Sequence, residues 1–477
     1  MKEKRLDAPN DNKMGTMPVG RLLFTMALPL ALSMLVQAFY NVVDSYFVSL
    51  VSTDAVTALS FAFPIQHLQI SFATGIAVGM NSLLSKSLGE GNQSRVNRAA
   101  GNGIFLTFIM IAMFMTFGFV GVKPYYSVFG ANQLTIDYGV DYTAICTIFC
   151  AGIFVEVLGE RLLQASGKTI YTLFTQGTGA IVNIILDPIL ILGSEGLSQR
   201  FGINLPFYIP RMEVTGAAIA TVIGQWVAAI MAVLFNFTKN TDVSFRFRYL
   251  LPKKDVVKSV LAVGVPSVVM MAIGSVINFC MNQIFMGFND TYGQTPAAVF
   301  GIYFRLQSFF LMPLFGINNA SISIIAYNYG ARKPDRITKT LRLGLITALV
   351  IMLLGVLIFQ LFPDVLMGIF ATAEDGSGED LVRFGISALQ IVSLHFPIAA
   401  VGIAIGSSFQ ALGNGIYSTI TSLCRQLVVL VPAAYLLSLS GNVDAVWWSF
   451  PMAEIVSSLL TIVFFVRIYR QKIKPML

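Results

Sequence analysis

Long apolar runs alternate with short polar connections along nearly the whole chain. Twelve of them approach or exceed the roughly 20 residues that cross a bilayer as a helix. They fall at 21–49, 55–84, 97–121, 135–161, 168–192 and 213–237, and then at 257–287, 296–327, 338–362, 382–411, 414–438 and 444–468. The pattern predicts an all-α integral membrane protein with twelve transmembrane helices. Polar tails occupy 1–20 and 469–477, and a basic connection at 238–256 separates 21–237 from 257–468. The two sets repeat one another. Pro29 matches Pro266 and Asn41 matches Asn278; Gly75 falls on Gly316, Ser82 on Ser323, Gly89 on Gly330, Gln164 on Gln410 and Gly167 on Gly413. Six helices repeated once, with both copies starting on the same side, predict two pseudo-symmetric six-helix lobes related by an axis along the membrane normal.

The polar positions inside these runs are few and aligned. In the first run Ser33, Gln37, Asn41 and Asp44 follow at steps of four, four and three, so they share a helix face. Tyr40 sits beside them, and Pro29 removes a helix hydrogen bond and supplies a hinge. In the fifth run Gln176, Ala180, Asn183 and Asp187 share a face in the same way. Asp44 lies roughly 35 Å of helix from Arg21, and Asp187 roughly 28 Å from Lys168, so both acids reach similar depths. A carboxylate at such depth costs about 2.5–3.5 kcal/mol on insertion scales and marks a functional site by default. Asp44 and Asp187, with Asn41 and Asn183 beside them, can share one proton or hold a small cation. The alternatives are that Asp44 caps or snorkels at the outer end, and that each acid serves its own backbone.

Other buried charges are harder to assign. Glu156 and Glu160 stand one turn apart in the fourth run, followed by Arg161. One glutamate is expected to face a cavity and the other to meet an arginine. Arg305 has no evident acid in its own half, so it is expected to reach Glu156 or Glu160, or to line a wet cavity. Arg425 and Glu454 are expected to neutralise each other. Gln37, Tyr40, Glu156, Glu160, Gln176, Arg305, Asn278 and Asn282 are the candidate cavity residues. His67 and His395 are solitary and read as core hydrogen-bonding groups.

Composition agrees with the pattern and narrows it. The chain is 56% hydrophobic and 12% charged, where soluble domains carry about 25% charged residues. The net charge of +7 is a topology signal. Lys123, Arg200, Arg211 and Arg383 fall on one side, Arg161, Arg305 and Arg425 lie within spans, and the remaining Lys and Arg share the other side with the termini. Positive loops stay inside, so both termini are expected in the cytoplasm and the protein in the plasma membrane, with anionic lipid assisting. The first run is too long for the apolar core of a signal peptide and is expected to be retained. The four cysteines all fall in apolar segments and read as buried thiols, with no metal site beyond a possible Na⁺. LLQASGKT lacks the glycine of a phosphate-binding loop, and no nucleotide-binding, metalloprotease, hydrolase or kinase signature is found, so neither ATP-driven transport nor enzymatic chemistry is expected.

The NVVDSYFVS end of the first run, the QASGK turn, NIILDPILIL, VTGAAIATVIGQ and FQALGNG resemble the multidrug and toxic compound extrusion (MATE) transporters, most closely the MepA-like bacterial branch. The resemblance implies export of small-molecule drugs or toxic organic cations in exchange for inward H⁺ or Na⁺, with no other cofactor. It further implies that Asp44 and Asp187 join Asn183 in the cation site. Some members hold sodium with acids in the seventh and tenth helices; here FCMNQIFM and SALQIVSLHFPIAAVGIAIG contain none. A lipid-linked saccharide flippase of the same broad superfamily is the other candidate. A flippase cavity should be rich in Arg and Lys, whereas this chain buries more acids than bases. The expected partners are the transported compound and the lipid bilayer, with no nucleic acid, and the expected assembly is a monomer.

Overall fold

The computed structural model describes residues 12–128, 132–203, 206–288, 292, 295–370 and 377–476. Residues 1–11 of the predicted N-terminal tail and Leu477 lie outside the described residues. All regular structure among the described residues is helical. Among the described residues, ten helices are long and apolar enough to cross a membrane singly. Two further pairs, each bent by 46° at a short break, bring the number to twelve if each pair is one span. The architecture is therefore the all-α, multi-spanning one that the apolar pattern predicts.

After a single turn, α1 (Lys13–Thr16), the first half contains α2 (Val19–Ser49), α3 (Thr53–Gly89), α4 (Gln93–Val120) and the short α5 (Val122–Tyr126). The bent pair α6 (Gln133–Ile148) and α7 (Ala151–Ala165) follows, then α8 (Ile170–Phe201) and α9 (Glu213–Thr238). A one-turn α10 (Phe247–Leu250) leads into α11 (Lys254–Met286), α12 (Thr295–Gly330), α13 (Pro334–Leu361) and α14 (Pro363–Gly368). The second bent pair is α15 (Ser377–Ser393) with α16 (Phe396–Ala411). There follow α17 (Gly415–Leu423), a π-helical stretch Cys424–Leu430, α18 (Val431–Ser438), α19 (Val443–Trp447) and α20 (Ser449–Ile468), which continues through the predicted polar tail as a π-helical stretch Tyr469–Ile473 and a 3-10 turn Lys474–Met476.

Three departures from the uninterrupted spans have local causes. Pro397 opens α16 and cannot donate to the Ser393 carbonyl, so the run 382–411 bends there. Gly193 takes φ 68°, ψ 179° inside α8, and beyond it the chain folds back, with Ser194 N–H donating to the Ile209 carbonyl at 3.0 Å. The π-helix precedes Pro432, whose missing N–H and ring disfavour a regular α-turn over Val428.

The repeat is visible in the turns. The QASGK turn is a Schellman cap: Gly167 has φ 77°, its N–H donates to the Gln164 carbonyl, and Lys168 N–H donates to that of Leu163. FQALGN repeats it, with Gly413 at φ 76° bonding Gln410 and Asn414 bonding Phe409. A second pair of caps ends α3 and α12, but there Gly91 at φ 69° is matched by Arg332 at φ 52°.

The described residues divide into two compact units, 32–268 and 12–31 with 269–476. The divisions fall inside α2 and α11, three residues after Pro29 and after Pro266, and not at the 238–256 connection. Small residues set this. In the first unit a Cβ at Gly75 would lie 2.7 Å from the Val268 nitrogen, and one at Gly79 would collide with the Val260 carbonyl, so the start of α11 packs directly on α3. In the second unit Gly316 meets Ala31 equally closely, with 2.6 Å from its Cβ position to the Ala31 nitrogen. The start of α2 therefore packs on α12. The first unit contains a cluster around Val48, Tyr142, Cys146, Leu192 and Val214. The second is filled by Met281, Phe285, Phe300, Tyr303, Trp447 and their neighbours.

Candidate functional site

A half-open pocket in the first unit has about 440 Å³ of atom-free space, counting its mouth. The second part of α2 contributes Gln37 and Tyr40, α7 contributes Ile153 and Glu156, and α8 contributes Gln176, Gly179, Ala180 and Asn183. Thr221, Gly224 and Gln225 come from α9. Its wall is shaped by the contact of α8 with α9, where a Cβ on Gly179 would stand 2.9 Å from the Gly224 carbonyl oxygen and one on Gly224 2.8 Å from that of Gly179. Larger side chains at either position would push the helices apart and change the pocket.

Both glutamates of α7 belong to this region. Glu156 lines the pocket and is 8% exposed. Glu160, one turn on, accepts from Thr175 Oγ1 at 2.7 Å and from Gln176 Nε2 at 2.9 Å. Arg161 donates to Gln164 on its own helix at 3.1 Å and forms no ion pair with Glu160 among the described residues. Gln176 thus joins Glu160 to the pocket wall and leaves its own Oε1 without a donor.

The second group of polar residues lies further along α8. Asp187 is fully buried and accepts from Asn183 Nδ2 at 3.2 Å through Oδ1. Asp187 Oδ2, Asn183 Oδ1 and Asp44 Oδ1 are buried acceptors with no donor. Asp44 and Asp187 are within electrostatic reach of one another, and Asp44 is also within reach of Tyr142 and Cys146 on α6. Pro188 cannot donate to the Ile184 carbonyl, which frees one more oxygen beside Asp187. Among the described residues no Lys or Arg forms an ion pair with Asp44, Glu156, Glu160 or Asp187. A group of carboxylate, amide and carbonyl oxygens without donors fits a proton or a small hard cation and does not fit an anion.

The remaining expectations divide. Arg425 Nη1 meets Glu454 Oε1 at 2.7 Å, as the sequence suggested. His395 is buried, with Nε2 3.3 Å from Gln307 Nε2 and Nδ1 2.5 Å from the Val392 carbonyl, while His67 stacks on Phe63. Cys146, Cys150, Cys280 and Cys424 are free. Arg305 is exposed on α12, as one of its two expected roles, lining a wet cavity, requires. Asn41 is also exposed, and its carbonyl accepts from Ser45 Oγ at 2.8 Å. Asn278 bonds its own helix at Gly274, and Asn282 is exposed. These last two and Arg305 belong to the second unit, where Met281, the match of Asp44, is fully buried in the apolar core. Thr221 and Gln225 were missed. Their signal is the small and polar positions of VTGAAIATVIGQ within an otherwise apolar helix.

Comparison with known proteins accords with this geometry. The chain is 28% identical over 440 residues to an FAD transporter of Shewanella oneidensis, covering 92% of each. It is 23% identical to the multidrug export protein MepA of Staphylococcus haemolyticus, again over 92% of each. It superposes with a TM-score of 0.86, at 22% identity and over 99% of both chains, on the outward-facing conformation of a multidrug resistance MATE family transporter of the MOP superfamily. The sequence model of the MatE family matches twice, over residues 29–189 and 266–436, starting at each of the two repeat-related prolines. The same family signature in both halves, over most of the length, makes the chain a member of the MatE family of membrane transporters.

Proposed function

We propose that this chain is a secondary active efflux antiporter that exports organic, often cationic compounds in exchange for H⁺ or Na⁺. The observation that carries this reading is the set of donor-free oxygens of Asp44, Asn183 and Asp187 next to a pocket walled by Glu156 and amides. A coupling ion and a cationic compound would both be drawn to this negative region. Where binding one disfavours the other, the coupling free energy drives exchange. Pro29 lies three residues before the point in α2 at which the two compact units divide, so a bend there would reorient Gln37, Tyr40 and Asp44 together. In this reading the six-helix repeats 21–237 and 257–468 are joined by 238–256 on the cytoplasmic side, with both termini in the cytoplasm of a plasma-membrane protein. Kinship with MepA supports placement in that branch.

The Shewanella relative supports a second reading, export of a flavin dinucleotide. No Lys or Arg lines the pocket, however, and a pyrophosphate calls for such donors. The same consideration weighs against a lipid-linked saccharide. The deciding experiment is efflux of a fluorescent organic cation from proteoliposomes with imposed Na⁺ or H⁺ gradients, run beside FAD. Gradient-driven cation movement with no FAD movement is the expected result. FAD movement alone would replace the proposal.

A further inference from the structure

The basic connection between α9 and α11 is held rigidly. Ser244 N–H donates to Asn97 Oδ1 at 2.8 Å. Asn102 Nδ2 donates to the carbonyls of Tyr249 at 3.1 Å and Leu251 at 3.3 Å, and Asn102 Oδ1 accepts from Lys253 N–H at 2.7 Å. Gly101 lets the Tyr249 carbonyl approach so closely that a Cβ would collide with it. Tyr249 is buried beneath the turn, and its hydroxyl accepts from Arg248 Nη2 at 2.6 Å.

This anchoring fixes which side chains face outward. Phe247 is 90% exposed and Leu251, four residues on, is 71% exposed. Arg246, Arg248, Lys253 and Lys254 surround them and are exposed. The opposing charge is Asp255, whose carboxylate stands 3.8 Å from Lys253 Nζ with both side chains more than half exposed. Such a pair contributes little and leaves the patch basic. Two large apolar side chains held in water are unfavourable relative to burial. The segment follows the end of one spanning helix, at Thr238, and runs into another, at Lys254, so the nearest large surface is a bilayer's headgroup region.

We propose that residues 246–254 form an interfacial anchor that inserts Phe247 and Leu251 at the headgroup–acyl boundary and binds anionic lipid headgroups through the surrounding Arg and Lys. The chemistry follows general rules: apolar side chains beside a basic rim favour the interface, and each basic residue near an anionic leaflet adds attraction. The anchor is independent of which compound the protein carries.

The test uses the full-length chain with its four cysteines replaced by alanine and a nitroxide on Phe247→Cys. The protein is reconstituted in nanodiscs of phosphatidylcholine alone or with phosphatidylglycerol. Accessibility to oxygen and to a water-soluble nickel chelate reports immersion. The label is expected to favour oxygen, more strongly with phosphatidylglycerol. The variant R246Q/R248Q/K253Q/K254Q should remove that lipid dependence. A label accessible to nickel in both lipids overturns the anchor and would suit a soluble protein partner instead. Equal immersion in both lipids, unaffected by the charge variant, overturns the anionic-headgroup assignment.

Discussion

Replacing Asp187 by Asn removes a charge while keeping the local structure. The side chain is fully buried, and its Oδ1 accepts from Asn183 Nδ2 at 3.2 Å, a bond that the amide oxygen of Asn retains. What changes is Oδ2, which has no donor in the protein and becomes an N–H₂ facing the same acceptors. A unit charge about 4 Å from a bound cation contributes about 4 kcal/mol at an effective dielectric of 20. An amide donor in its place contributes nothing favourable. Affinity for the coupling ion should therefore fall between roughly a hundred- and a thousandfold. Asp44→Asn should behave similarly, because Asp44 Oδ1 is also without a donor. The assay is efflux from proteoliposomes under an imposed gradient, with ion binding measured separately and insertion checked by folded yield. Both variants are expected to insert normally and lose gradient-driven efflux. Wild-type rates with unchanged ion dependence in both would refute the reasoning and move coupling to Glu156 or Glu160.

Four further outcomes are expected. Arg332→Gly relieves a left-handed residue at the end of α12, and thermal unfolding should show a gain of about 1 kcal/mol. Glu454→Gln leaves Arg425 without its carboxylate; fully buried pairs lose about 3–5 kcal/mol this way, and because Arg425 is partly exposed about 2 kcal/mol is expected, largely recovered when Arg425 is also replaced by Met. Burial holds the Asp242 carboxyl above the usual carboxylate range, against the pull of Lys168 at 3.9 Å. Its ionisation thus costs stability as pH rises through the raised folded value, and Asp242→Asn should unfold at a temperature no lower than wild type at pH 8, with a flatter pH profile; a lower midpoint would show that the ion pair outweighs burial. Cysteines at Ser52 and Gly441 should react with impermeant reagents from outside, and those at Lys254 and Lys333 from inside, with reversed labelling refuting the orientation.

The sequence by itself determined the class of fold and named five of the seven polar residues that line the pocket. Apolar run length is a property of one segment in a bilayer, so the twelve spans, the repeat and the intramembrane acids needed no partner to be recognised. Gln37, Tyr40, Glu156, Gln176 and Asn183 could be named because each is a polar residue on a shared face of an apolar helix. Burial and partnership were a different matter, since they depend on what lies across the helix. Asn41 shares a face with Gln37 in the sequence yet is exposed, and Arg305, which lies within an apolar run, is exposed too. Glu160 is held by Thr175 and Gln176, side chains that belong to another helix. Thr221 and Gln225 enter the pocket because Gly179 and Gly224 let α8 and α9 approach, a contact between residues 45 apart that no local pattern encodes. The compact units likewise divide inside α2 and α11, because Gly75, Gly79 and Gly316 each admit the backbone of a helix distant in sequence. Local periodicity can say that a helix has a polar face, and only close packing between helices decides what that face meets.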